Sequence, residues 1–252
     1  MTRRRWALLA LALTVLAAAP VLLVAGPALA QTFSLDLGDG EGGLFTGRII
    51  QLILLITVLS LAPSILVVVT SFTRIVVVLS LMRSALGVQQ TPPNAVLISL
   101  ALFLTAFIMA PTLEQAYDEG IVPLIDNEID EAQAFSRVSA PFHTFMMRNV
   151  RDKDLALFLD MDGGEVESRE DTPFKVLVPA FMISELKRAF EIAFLVFIPF
   201  IIIDMTVASV LMSMGMMMLP PVIISLPFKL IFFVLLDGWY LIAGSLVQSY
   251  GG

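Results

Sequence analysis

The apolar pattern divides the chain into two long hydrophobic halves around a polar middle. Over residues 44–86 almost every position is apolar or hydroxylated, and Gly87 offers a helix stop. A second apolar run follows to about residue 109, before Pro111, with Thr91 as its cap and prolines in its first turn. This predicts a membrane hairpin over residues 44–111. Its first arm, roughly 40 residues, would be about 60 Å long, against a hydrocarbon core of about 30 Å. It must kink, with Pro63 the expected place, or project beyond the membrane. Residues 112–175 break the apolar pattern and predict short helices over 113–117, 128–135 and 140–158. An amphipathic stretch over 174–191 then leads into two more apolar runs joined by Met214-Gly215-Met216-Met217-Met218-Leu219-Pro220-Pro221. A spanning helix needs about 20 apolar residues, so these runs predict a second membrane hairpin over 176–250, with its tip at 214–221. The fold class expected is an all-α integral membrane protein: two long hairpins separated by an acidic helical domain.

Composition agrees with that class, since 58% of residues are hydrophobic and only 15% charged. There is no cysteine, which removes disulfides and thiolate metal sites. Residues 1–30 read as a cleavable signal peptide: Arg3, Arg4 and Arg5, an apolar stretch, then Ala28-Leu29-Ala30 as the cleavage site before Gln31. Residues 31–43 read as a flexible leader, outside the cytoplasm. The net charge of −7 is concentrated: residues 112–175 hold 15 of the 22 acidic side chains against 6 basic ones. With Arg83 at a cytoplasmic helix end, the first hairpin returns the chain outside and makes this acidic region a periplasmic domain.

Charges within the apolar runs carry the next expectation. Arg74 interrupts the first run, Asp204 follows three isoleucines, Lys229 comes just after Pro227, and Asp237 precedes Gly238. A lipid-facing charge costs about 2.5–3.5 kcal/mol on insertion scales, so these faces should meet protein or water. For Arg74 the reading stays open between a basic helix end and a buried contact between subunits. Glu185 with Arg188, and Lys187 with Glu191, are spaced to share a helix face.

Catalytic constellations do not survive inspection. A Gly-Lys-Ser/Thr phosphate loop is absent. Asp160-Met161-Asp162 begins like a calcium loop, but the fifth and sixth positions are Gly164 and Glu165. His143, the single histidine, reads as a satisfied helical residue and excludes a histidine metal cluster. Asp204 and Asp237 invite an intramembrane aspartyl protease, yet Leu235 and Leu236 replace the Gly-x-Gly that usually precedes such an aspartate. A small-solute transporter or channel subunit is the other alternative, although the two hairpins share no clear pattern. At the second hairpin's tip, Gly215 permits the turn and Pro220 and Pro221 stiffen its exit. A ring of flexible methionines from several copies could close around varied objects and exclude water.

Several blocks, in one order, carry a resemblance: residues 70–111, residues 140–159, Ser184-Glu185-Leu186-Lys187-Arg188-Ala189-Phe190, Gly215-Met216-Met217-Met218-Leu219-Pro220-Pro221, Ser225-Leu226-Pro227-Phe228-Lys229-Leu230 and Asp237-Gly238-Trp239. The chain resembles the FliP/SctR family, membrane subunits of type III protein-export gates, over most of residues 44–247. The signal peptide favours the flagellar branch. The resemblance implies a non-enzymatic pore subunit of the bacterial inner membrane and flagellar basal body, without cofactor, metal or nucleic acid. It implies about five copies in a helical cone, assembled with FliR and FliQ and served by FlhB and FlhA. Unfolded flagellar proteins would pass through it. Met216, Met217 and Met218 would then form the pore gasket, with Gly215, Pro220 and Pro221 as its hinge. Arg74, Glu185, Lys187, Arg188, Asp204, Lys229 and Asp237 would be buried or intersubunit charges.

Overall fold

The computed structural model describes residues 42–88, 90–163, 168–216 and 218–251. The signal-peptide assignment with Ala30 and Gln31, all but the end of the leader, Gly164, Glu165 and Met217 lie outside these residues. Among the described residues the chain divides into two units, residues 42–56 and 57–251. The described residues hold helices and turns, and no strand.

Helix α1 (Gly42–Val69) ends at Thr70 and Ser71, and α2 (Phe72–Ala85) begins directly after. The long first arm is therefore interrupted at two hydroxylated residues. Hydroxyls compete with the helical ladder. Here Thr70 Oγ1 accepts from the Phe72 amide at 3.4 Å, and Thr73 Oγ1 donates back across the break to the Val67 carbonyl at 3.2 Å. Pro63 itself lies within helix, as proline can in apolar segments. Gly87, at φ +78°, follows α2 as the expected stop.

Helix α3 (Asn94–Ala116) starts after Pro93, whose side chain gives no cap, so Thr91 is not the cap. Nor does the helix stop at Pro111. It continues through a π-helical turn (Tyr117–Ile121) into α4 (Val122–Ile125), giving one rod over Asn94–Ile125. The 113–117 helix expected in the acidic region is the end of this rod. Among the described residues the region also holds α5 (Glu131–Asn149), α6 (Asp152–Asp162) and a 3-10 turn over Arg169–Asp171. A single helix over 140–158 fails because Val150 and Arg151 are extended, and the Arg151 amide bonds Ser184 Oγ at 3.1 Å.

Helix α7 (Phe174–Ser213) is continuous for 40 residues and merges the amphipathic stretch with the third apolar run. At about 1.5 Å per residue it is twice the hydrocarbon thickness. Two cores divide it. Its first turns bury Val176, Leu177, Ala180 and Phe181 against Met146 of α5 and Leu155 of α6. Farther along, Ala189 and Phe200 meet a stripe on α2, Ile75, Val78, Leu79 and Met82, whose spacing of three and four makes one helix face. The fourth apolar run is not one straight span. It forms α8 (Pro221–Leu235) and α9 (Gly238–Gly251), bent by 62°. Asp237 has φ +51°, and Gly238 sits so close to Phe233 that a Cβ would lie 2.2 Å from the ring.

The rod over Asn94–Ile125 and helix α7 are each long and apolar enough to cross a membrane, as is the bent α8–α9 pair taken as one broken span. Large apolar side chains stand exposed on α7 and α8, among them Phe194, Leu195, Ile202, Val234 and Leu235. Such faces suit lipid or another protein, not water.

Candidate pore loop and its buried charges

The methionine tip is a defined helix ending. Met214 caps α7, and Gly215, at φ +75°, takes the left-handed conformation. The Gly215 amide donates to the Met212 carbonyl at 3.0 Å and the Met216 amide to Leu211 at 3.0 Å, a Schellman closure. Pro220 then caps α8, with Pro221 as its first residue, where a missing N–H costs nothing. Glycine and the two prolines thus fix both ends of the loop. Met216 is half-buried, and Met218 at the apex is 98% exposed.

Below this tip, Asp204 on α7 and Lys229 on α8 clamp the two arms together at 2.7 Å. Ser225 Oγ donates to the free Asp204 oxygen at 2.5 Å, and Lys229 Nζ donates to the Ala85 carbonyl at the end of α2 at 3.2 Å. Lys229 is almost fully buried, so this pairing offsets its desolvation. Asp237 has no part in the clamp. It is exposed at the α8–α9 bend, and its carboxylate has no ion-pair partner among the described residues. The two aspartates therefore do not form a shared-proton dyad.

A second cluster lies deeper. Arg74 and Glu185 are both fully buried and meet through a bidentate contact, Nε to Oε2 at 2.9 Å and Nη2 to Oε1 at 2.5 Å. Tyr250 donates its hydroxyl to Glu185, and its ring lies 3.7 Å from the Arg74 guanidinium carbon. Arg74 Nη1 reaches Ser249 Oγ at 2.9 Å. Glu185 thus turns to Arg74, not to Arg188, and the expected Glu185–Arg188 pair is not made. Arg188 is half-buried, whereas Lys187 and Glu191 pair in the open at 3.2 Å. Arg83 holds Asn94 Oδ1 at 2.6 Å across the α2–α3 turn.

The neighbour of Glu185 extends the polar seam outward. Ser184 Oγ donates to Asp154 Oδ2 at 2.7 Å, and Arg151 forks onto the same carboxylate at 2.8 and 2.9 Å. The Arg151 hydrogen bond, helped by Ser184, holds the Asp154 carboxyl below the usual aspartate range against the opposing effect of burial. His143 bonds the Thr172 carbonyl at 2.7 Å and stands edge-on to Phe174, a satisfied helical position. Asp162 pairs with Lys175 at 2.8 Å. Tyr250, Ser249, Ser225 and Asp154 escaped the sequence reading, since each acts through a partner at least 21 residues away or through a turn unseen in the pattern. Ser184, Ser225 and Asp154 do lie in the stretches that carry the family resemblance, whereas Ser249 and Tyr250 lie beyond all of them.

A family model described as the FliP family matches residues 55–246, from α1 to α9. The chain belongs to the FliP family. It is 59% identical over 240 residues to a protein of Caulobacter vibrioides named flagellar biosynthetic protein FliP, covering 94% of this chain and 90% of that one. Relatives of the same name from Bacillus subtilis and Aquifex aeolicus are 58% and 48% identical, covering 80% and 91% of this chain and 91% and 97% of theirs. The FliP match includes Arg74, Glu185, the clamp and the methionine loop, whereas Ser249 and Tyr250 fall just past its end.

Proposed function

We propose that this chain is a core pore-forming subunit of the flagellar type III export gate, passing unfolded flagellar proteins across the bacterial inner membrane. The observation that carries the reading is the methionine loop: flexible apolar side chains at the tip of a hairpin whose arms are clamped by Asp204 and Lys229. A pinned hairpin with a soft tip suits a gasket that seals against water and yields to a polypeptide. Several copies, about five as in a symmetric assembly, would bring Met216, Met217 and Met218 together around one axis. FliR and FliQ would complete the cone, FlhB and FlhA would serve it, and the acidic domain would face the periplasm. The exposed apolar faces of α7 and α8 would lie against those subunits or lipid. The chain has no catalytic part in this scheme. Met216, Met217 and Met218 replaced together by serine should let membranes leak ions while the complex assembles. Unchanged permeability with normal assembly would overturn the gasket assignment.

A further inference from the structure

Between residues 212 and 218 the chain places five of its 13 methionines, Met212, Met214, Met216, Met217 and Met218. Three of them stand in the open: Met218 is 98% exposed, Met214 64% and Met212 57%. Met216 is half-buried. Met82, Met109 and Met146 are the opposite case, each buried, the first in one core and the last in the other. This difference decides how the sulfurs react. An oxidant must reach the thioether, and the sulfoxide it leaves is polar and carries one more oxygen. The tip has room for that oxygen, since a Cβ built on Gly215 would meet no atom within 4 Å. In either core the same oxygen would displace packed side chains and sit in apolar surroundings.

The loop is also held without its sulfurs. Backbone hydrogen bonds to the Met212 and Leu211 carbonyls close the end of α7, Pro220 and Pro221 start α8, and Asp204 pairs with Lys229. Oxidation therefore changes the surface of the tip and leaves its backbone in place. We propose that the methionine tip is a reversible oxidation site for hypohalous acids, and that its sulfoxide form unseals the gate. With hypochlorous acid an S–O bond forms and the O–Cl bond breaks. Sulfur gives two electrons to chlorine, and chloride and one proton leave. The apolar thioether becomes a dipole that accepts hydrogen bonds from water. A constriction that closes by dewetting needs apolar walls, so a ring of sulfoxides wets. A thiol-dependent sulfoxide reductase restores the thioether: two thiols become a disulfide, and the oxygen leaves as water. The oxidation site stands on exposure alone, whereas the unsealing rests on the gasket reading above.

The test uses membrane vesicles carrying the assembled gate, treated with limiting doses of hypochlorous acid. Peptide mass spectrometry should find oxygen on residues 212–218 before Met82, Met109 or Met146. Ion leak is read as the ratio of treated to untreated vesicles, so any change in the resting seal cancels. In wild type it should rise about tenfold, within the range set by the cost of keeping an unbonded polar group dry. Sulfoxide reductases for both epimers should return it to the starting value, a reading that needs no variant. Met212→Leu, Met214→Leu, Met216→Leu, Met217→Leu and Met218→Leu, combined, should abolish the rise. Met161→Leu removes an exposed methionine outside the tip and should respond as wild type does. A tip that stays unoxidised while the buried methionines react would overturn the proposal. So would an equal rise in the leucine variant, or a rise that the reductases do not reverse. If the oxidised tip holds its seal while the serine variant of Met216, Met217 and Met218 leaks, the unsealing fails and the gasket stands. If neither leaks, the gasket reading itself fails.

Discussion

Breaking the Arg74–Glu185 pair probes how the interior is held. In Glu185→Gln the side-chain shape is kept, but the carboxylate that receives two guanidinium hydrogen bonds becomes a neutral amide with one acceptor oxygen. Both residues are fully buried, so water does not replace the lost charge. Removing one partner of a buried pair costs about 3–5 kcal/mol. For a chain of this size each kcal/mol moves the melting midpoint by about 2–4 °C, so a fall of about 6–20 °C is expected. Arg74→Met combined with Glu185→Leu removes both charges and keeps the volume. That double variant should recover most of the loss, since Ser249 Oγ keeps the Leu246 carbonyl at 2.7 Å and the Tyr250 hydroxyl is left with the longer bond to the Ser71 carbonyl at 3.4 Å, a residual cost of about 1 kcal/mol. Thermal unfolding of the detergent-solubilised chain reads both arms. A shift under 2 °C in Glu185→Gln, or a double variant less stable than the single one, would refute the reasoning.

The acid response and the α8–α9 bend give two further tests. Asp154 is held in its charged form by Arg151 and Ser184, so its folded pKa is depressed. Its contribution is complete above the ordinary aspartate value of about 4 and is lost as pH falls through the depressed value. Unfolding midpoints from pH 7 to 3 should therefore fall less steeply in Asp154→Asn than in wild type, and parallel curves would count against the assignment. Gly238→Ala should destabilise by about 1–3 kcal/mol, because its Cβ overlaps the buried Phe233 ring, and Phe233→Leu should relieve part of that cost. A Gly238→Ala chain as stable as wild type would show that the bend can open without penalty.

Much of this molecule was legible in the amino-acid order because its strongest signals are local. Apolar runs define rods, and Gly87, Gly215, Pro220 and Pro221 stand where backbone geometry demands them. The cost of charge in apolar sequence marked the faces of Asp204, Lys229 and Asp237 as meeting protein or water; the first two pair with each other and Asp237 is exposed, whereas the Arg74 reading stayed open between a helix end and a buried contact. Proline at 111 misled, since a penalty that ends helices in water is absorbed inside long apolar ones, and Pro63 too lies within helix and not at its end. The break instead fell at Thr70 and Ser71, where hydroxyl bonding to the backbone depends on how the next helix is set. Only the tertiary structure decided who pairs with whom. Local spacing offered Arg188 to Glu185, but Arg74, 111 positions away, won because both groups are buried there and a bidentate contact in a dry interior outweighs an exposed one. The sequence by itself determined the rods, the hinge residues and the cost of each charge. Packing alone determined which oxygen met which nitrogen, because that choice is made by helices brought together from distant parts of the chain.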